Sequence, residues 1–337
     1  VMKLFHSLLY PLLGGLFCLS CSDDEQDSGT KQPTTAGEVT FGVDLTGFST
    51  RVTQDGSSWN DGDKIGTYVL DMKTLEPVTE AANVPYVCSE EGASVSFTST
   101  TPLKVQNDGT PVKFVAYYPY NADVRNFNYP VQLAAQERGS TACDLLYAAT
   151  KEEYTYSPEN EPHISLNFTH RLAKVILKFV NMEKEPLEVS DVRIEGMQTA
   201  ASFNIQTDVL TVDESSVATI NPYHNATTGF YEAIILPSAL TDSYKVSFVL
   251  DDREKEWIFT NLDIALPQFH KGYSYTFALY IDDSGFVEMG RLENVEGGNS
   301  SAPWEDGSSE DGTAEGDKTP VSGYAFTPAD GTQQALA

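Results

Sequence analysis

From position 39 onward, apolar and polar residues alternate in short runs. Val39, Phe41, Val43 and Leu45 are separated by Thr40, Gly42, Asp44 and Thr46, the two-residue period of a strand with one buried face. Similar or more densely apolar runs follow at 64–70 (KIGTYVL), 94–98 (SVSFT) and 112–118 (VKFVAYY), the last stopped by Pro119. Shorter ones occupy 131–135 and 145–148. Asp55-Gly56 and Asn60-Asp-Gly62 punctuate them as turns.

The stretch 154–162 (YTYSPENEP) is rich in turn formers and reads as a boundary. Beyond it, 163–180 carries alternation in Ile164, Leu166 and Phe168, then in Val175, Leu177 and Phe179. A helix over 171–180 is an alternative there, but β-branched and aromatic content favours one long strand. Further strands are predicted at 190–195, 201–205, 230–236, 244–250, 256–260 and 273–281, with Asp251-Asp-Arg253 at a hairpin tip. Nothing in the chain forms an amphipathic helix of three turns. Many short strands with regular turn signals predict an all-β protein of β-sandwich type. The length fits two domains, 39–158 and 159–295.

The ends of the sequence read differently. Leu8–Leu19 is an apolar run of twelve residues broken by Pro11, Gly14 and Gly15. It is short of the ~20 residues of a membrane span and within the roughly 7–15 of a secretory signal. Ser20-Cys21 closes it in a way that is similar to a bacterial lipobox, with Cys18 where an aliphatic residue is usual. This predicts a signal peptide over 1–20 and lipidation of Cys21. Ser22-Asp23-Asp24-Glu25 then resembles the acidic surface-export signal of Bacteroides-group lipoproteins. Residues 21–38 have too little apolar content to fold and are expected to act as a tether. At the other end, 296–317 holds seven acids and no base among Gly and Ser, and 318–337 recovers Val321, Tyr324 and Phe326. The segment 296–337 is expected to be an acidic linker and tail.

Charge and missing chemistry narrow the function. Asp plus Glu number 49 against 21 Lys plus Arg, a net charge of −28. That field repels phosphate backbones and argues against nucleic acid as a partner. Neither a nucleophile elbow, a phosphate-binding glycine loop nor a zinc-protease motif is present. Asn60-Asp-Gly-Asp63 lacks calcium-loop spacing and reads as a turn. His163, His170, His224 and His270 have no partner at ligand spacing, and His170 reads as a packed strand residue. No catalytic residue, metal site or cofactor is predicted. Cys88 and Cys143 remain free to pair or not, which the sequence leaves open. The three N-x-S/T sites, at Asn167, Asn225 and Asn299, are accidental in a bacterial lipoprotein.

A set of short motifs in fixed order resembles the fimbrillin-like family, the type V pilus subunits of Bacteroides-type bacteria. It comprises Thr50-Arg51, Trp59-Asn-Asp-Gly62-Asp63-Lys-Ile65-Gly66, Phe114-Val-Ala116-Tyr117-Tyr118-Pro119-Tyr120 and Gln136. Asp144-Leu-Leu146-Tyr147-Ala148, Phe168-Thr-His170-Arg-Leu-Ala173-Lys174-Val175, Lys271-Gly272-Tyr273-Ser-Tyr275 and Trp304-Glu-Asp-Gly307 complete it. The resemblance implies two tandem transthyretin-like β-sandwich domains and export as an outer-membrane lipoprotein. It also implies partnership with other fimbrial subunits and adhesion to a host or bacterial surface ligand. In shaft subunits of the family, an Arg- or Lys-specific protease removes the first strand, and a terminal strand of the next subunit fills the groove. Mapped onto this chain, the removable strand is Val39, Phe41, Val43 and Leu45. Arg51 is the candidate cleavage point, with an uncleaved surface residue as the alternative. Val321, Tyr324 and Phe326 mark the candidate donor strand, although Gly323 interrupts it and Val321 faces away from the aromatic pair. A competing function is a monomeric glycan-binding lipoprotein, with Trp59, Trp257 and Trp304 as a sugar platform.

Overall fold

The computed structural model describes residues 36–44, 59–79, 82–92, 94–159, 161–181, 183–239, 244–250 and 268–281, and the backbone alone at 255–260, 287–293, 305–306 and 327–328. Cys21, Leu45, Arg51, Trp304, Val321, Tyr324 and Phe326 lie outside these residues. Among the described residues the chain is built from strands, with one short 3-10 turn at Ser140–Cys143.

The first half supplies β1 (Ala36–Glu38), β2 (Thr40–Asp44), β3 (Lys64–Asp71), β4 (Val84–Cys88), β5 (Ser94–Thr98) and β6 (Lys104–Gln106). It continues with β7 (Val112–Tyr118), β8 (Asn128–Gln132), β9 (Leu146–Ala149), β10 (His163–Ser165) and β11 (Thr169–His170). Eight of these form one sheet in the order β10-β2-β5-β4-β3-β7-β9-β11, while β1 pairs with β6. Phe41, Trp59, Tyr86, Phe97, Phe114 and Phe168 form the aromatic part of the core on its inner face. The middle strands are apolar at nearly every position because both of their faces are covered. On β7, Phe114 and Ala116 enter this first core, while Val115 and Tyr117 enter another on the opposite side.

The second half supplies β12 (Ala173–Asn181), β13 (Val189–Gln198), β14 (Ala200–Asn204), β15 (Val209–Val212), β16 (Val217–Ile220), β17 (Tyr223–Asn225) and β18 (Phe230–Ile235). Then come β19 (Ser238–Ala239), β20 (Lys245–Leu250), β21 (Lys255–Thr260), β22 (Gln268–Phe269), β23 (Tyr273–Ile281), β24 (Val287–Glu293), β25 (Glu305–Asp306) and β26 (Thr327–Pro328). One sheet runs β17-β18-β12-β23-β24, with β25 also on β23, and a second runs β16-β13-β20-β21-β26. Leu177, Phe179, Ile194, Phe248, Phe277 and Leu279 pack in the core associated with these two sheets.

The two halves are sewn together. Strand β8 pairs with β14 from Ala200↔Gln132 to Asn204↔Asn128. A third core draws Leu70, Tyr117 and Tyr147 from one half and Phe203, Ile234 and Leu236 from the other.

Two expectations change. The single strand expected over 163–180 is three strands, of which β10 and β11 belong to the first sheet. The alternation on either side of residue 170 therefore serves two different cores. Trp59 is fully buried, in edge-on contact with Phe97, Tyr118 and Phe168, so it is part of the core and not of a sugar platform. Cys88 and Cys143 are free thiols, and Cys88 Sγ donates to the Glu90 carbonyl at 2.9 Å.

Candidate strand-exchange groove

The segment 36–44 lies inside the fold, and its middle is paired on both sides. Its first three residues pair antiparallel with β6, from Ala36↔Gln106 to Glu38↔Lys104. The chain then moves into the large sheet. There Phe41↔Phe97 to Asp44↔Ser94 run antiparallel to β5, and Thr40, Phe41 and Gly42 lie parallel to His163, Ile164 and Ser165. Parallel neighbours need a long crossover between them; here it is most of the first half. The Val39 amide donates to the Leu103 carbonyl, and the Thr40 amide to that of Pro162, each at 2.9 Å.

Side chains on one face of the segment point into the core. Val39 and Phe41 are fully buried and Val43 nearly so, so three of the four residues expected in the removable strand are buried as the alternation requires. Phe41 meets Tyr86 and Phe114 edge-on, at centroid distances of 4.8 and 5.9 Å. Tyr86 holds the bend between β1 and β2. Its hydroxyl donates to the Val39 carbonyl at 2.9 Å and accepts from the Leu103 amide at 2.8 Å. Burial pushes this phenol up to about 12. Burying Val39, Phe41 and Val43 contributes roughly 1.5–3 kcal/mol each, so a fold deprived of this segment would expose a groove with a strong demand for a replacement.

Sequence reasoning missed several participants. The inserted segment begins at Ala36 rather than Val39. Gly37 continues the inward face, where a Cβ would stand 2.4 Å from Tyr156 Cε2 and 3.0 Å from Pro162 Cδ. The Thr40 hydroxyl and His163 Nδ1 are 3.0 Å apart, with the His163 ring lying over Gly42. None of these is visible without the tertiary contacts, although an A-G-E-V-T-F-G-V run with two glycines in a strand is a signal of close approach.

The other motif residues make polar contacts within the sheets, in a turn and between the halves. Gln136 is buried; its amide donates to the carbonyls of Leu133 and Ile234 at 2.8 and 2.7 Å, and its oxygen accepts from the Ile234 amide at 2.8 Å. His170 Nδ1 and Asp144 Oδ1 form a buried pair at 2.9 Å, a partner the sequence spacing did not show. Arg171 lies 4.8 Å above the Tyr147 ring and donates to Asp208 at 3.0 Å. Lys174 meets Glu232 at 2.6 Å. In the Asn60–Asp63 turn, the Asp63 carboxylate accepts from the Asn60 amide at 2.7 Å. Burial pushes the Asp63 carboxyl up, partly offset by that bond. Among the described residues no group of three His, Cys, Asp or Glu is placed to hold a metal ion.

These observations define an all-β protein with sandwich cores and an N-terminal strand inserted between two others. The family model described as fimbrillin-like matches residues 50–304, and the chain belongs to that family. Among solved structures it is similar to a candidate cell adhesion protein from Bacteroides uniformis, at 22% identity and TM-score 0.62, over 78% of this chain and 99% of that one. A second candidate cell adhesion protein, from Bacteroides ovatus, aligns at 14% identity and TM-score 0.58, over 78% of this chain and 97% of that one. No curated protein matches the sequence.

Proposed function

We propose that this chain is a cell-surface subunit of a pilus-type adhesive fibre, and that it acts as the acceptor in strand exchange. In this reading the precursor is exported as a lipoprotein through Cys21. A protease cuts after Arg51, and the segment 36–44 leaves. A strand of another subunit then takes its place, first along β6 and then between β5 and β10. The fimbrillin-like family and the adhesion-type neighbours support the coarse assignment. The observation that carries the finer one is the doubly paired, alternately buried first segment. It is a strand whose removal leaves paired edges and pockets for alternate side chains, which a complementing strand can fill. The chain divides into two sandwich domains, and the pairing of 163–165 and 169–170 with the first sheet favours a division near residue 170. Burial of Trp59 removes one leg of the competing sugar platform.

The test treats residues 22–337 with an Arg-specific protease and runs them unboiled on a denaturing gel beside Arg51→Ala. A ladder in the cleavable protein alone is expected if the chain both accepts and donates. Cutting at Arg51 without loss of 36–44 on addition of other fimbrial subunits would sink the acceptor role.

A further inference from the structure

The groove is selective at one register position, and that position disfavours residues 296–337 of this chain. This inference rests on the strand-exchange reading above. The space at Gly37 is closed by two side chains of the stationary fold. A Cβ placed there would lie 2.4 and 2.8 Å from Tyr156 Cε2 and Cζ, and 3.0 Å from Pro162 Cδ. Real Cβ contacts do not approach so closely, so something must move. Tyr156 has limited room to do so, because its ring packs against the first core while Pro162 Cδ closes on the same position. Position 42 is a weaker filter. A Cβ there would be 2.7 Å from His163 Nε2, but His163 is exposed and can swing aside. Four residues beyond Gly37, on the same face, the groove holds a pocket filled by Phe41 against Tyr86 and Phe114.

An entering strand that leaves Tyr156 in place therefore fits with glycine four residues from an aromatic side chain. The aromatics between 296 and 337 are Trp304, Tyr324 and Phe326. Four residues before them stand Ser300, Pro320 and Ser322, and four residues after them Ser308, Pro328 and Asp330. Neither strand direction satisfies the groove. Placing Gly323 over Tyr156 instead puts Thr327, or in the other direction Thr319, in the aromatic pocket. We infer that the entering strand carries Gly-x-x-x-aromatic, and that residues 296–337 of a second copy do not fill the groove.

The experiment uses the Arg-cut full chain and fluorescent peptides. One copies residues 36–45, one is the same peptide with Gly37→Val, and one copies residues 320–329. The 36–45 peptide should exchange into the cut chain. The Gly37→Val peptide should bind at least about tenfold more weakly, and the 320–329 peptide should not compete. In a Tyr156→Ala chain the Gly37→Val peptide should recover most of that loss, a rescue that general unfolding cannot produce. Equal binding of the 36–45 and Gly37→Val peptides, or competition by 320–329, overturns the inference while leaving strand exchange standing. Failure of the 36–45 peptide itself to enter the cut chain removes strand exchange and the inference together.

Discussion

Gln136 shows what a single motif residue can hold. Its side-chain amide replaces a stretch of missing ladder. It accepts from the Ile234 amide and donates to the Ile234 and Leu133 carbonyls, a bond reaching 98 positions along the chain. A buried polar group stripped of its partner costs about 1–3 kcal/mol. Gln136→Leu keeps the volume and strands both backbone groups of Ile234, so a loss of about 2–4 kcal/mol is expected. The urea midpoint checks it, with an unchanged slope showing that the fold is retained. Gln136→Glu separates the two roles. It keeps an acceptor for the Ile234 amide but faces the two carbonyls with a charge, and it should destabilise at least as much at neutral pH. A midpoint within experimental error of the wild type for both variants would show that water takes over these bonds.

Among the elements, the first segment depends most on contacts distant in sequence. Its alternation was legible: Val39, Phe41 and Val43 are buried as the two-residue period requires. Its neighbours were not. The parallel contact with 163–165 pairs residues 123 positions apart, and no local pattern records which strand lies beside which. The same blindness merged β10, β11 and β12 into one run, because an apolar residue every second position looks alike whichever core receives it. The glycine at 37 was visible, but its reason is the Tyr156 ring, which only the tertiary fold brings there. Tyr86 is the residue that ties this segment to the rest through its hydroxyl. Tyr86→Phe leaves the Val39 carbonyl and the Leu103 amide without that partner while keeping the ring against Phe41. Amide hydrogen exchange should quicken across 36–44 and at Leu103, and stay unchanged in β12 and β18. Uniform quickening throughout the chain would mean that the hydroxyl supports global stability instead of retaining the first strand.

At the scale of the molecule, the halves are not beads on a flexible string. The β8–β14 ladder and the third core join them, and the described residues form one compact unit. Tyr147 and Phe203 meet edge-on across that junction at 5.5 Å. The position suits a fibre subunit. If strand exchange joins the subunits as proposed, load entering at the groove of the first half and leaving through the second would cross the junction, and one that opened easily would yield first. Cooperative structures of this kind unfold as a unit when the shared interface is worth more than either part alone. Residues 22–337 are accordingly expected to melt in a single calorimetric transition. Phe203→Ala removes a fully buried ring and should lower stability by about 3–5 kcal/mol, shifting that one transition as a whole. Near-ultraviolet circular dichroism and intrinsic fluorescence should follow the same curve. Two resolved transitions, only one of them responding to Phe203→Ala, would mean that the third core packs without coupling. The halves would then behave as separate modules, and the strength of a fibre built from them would be set by the weaker half.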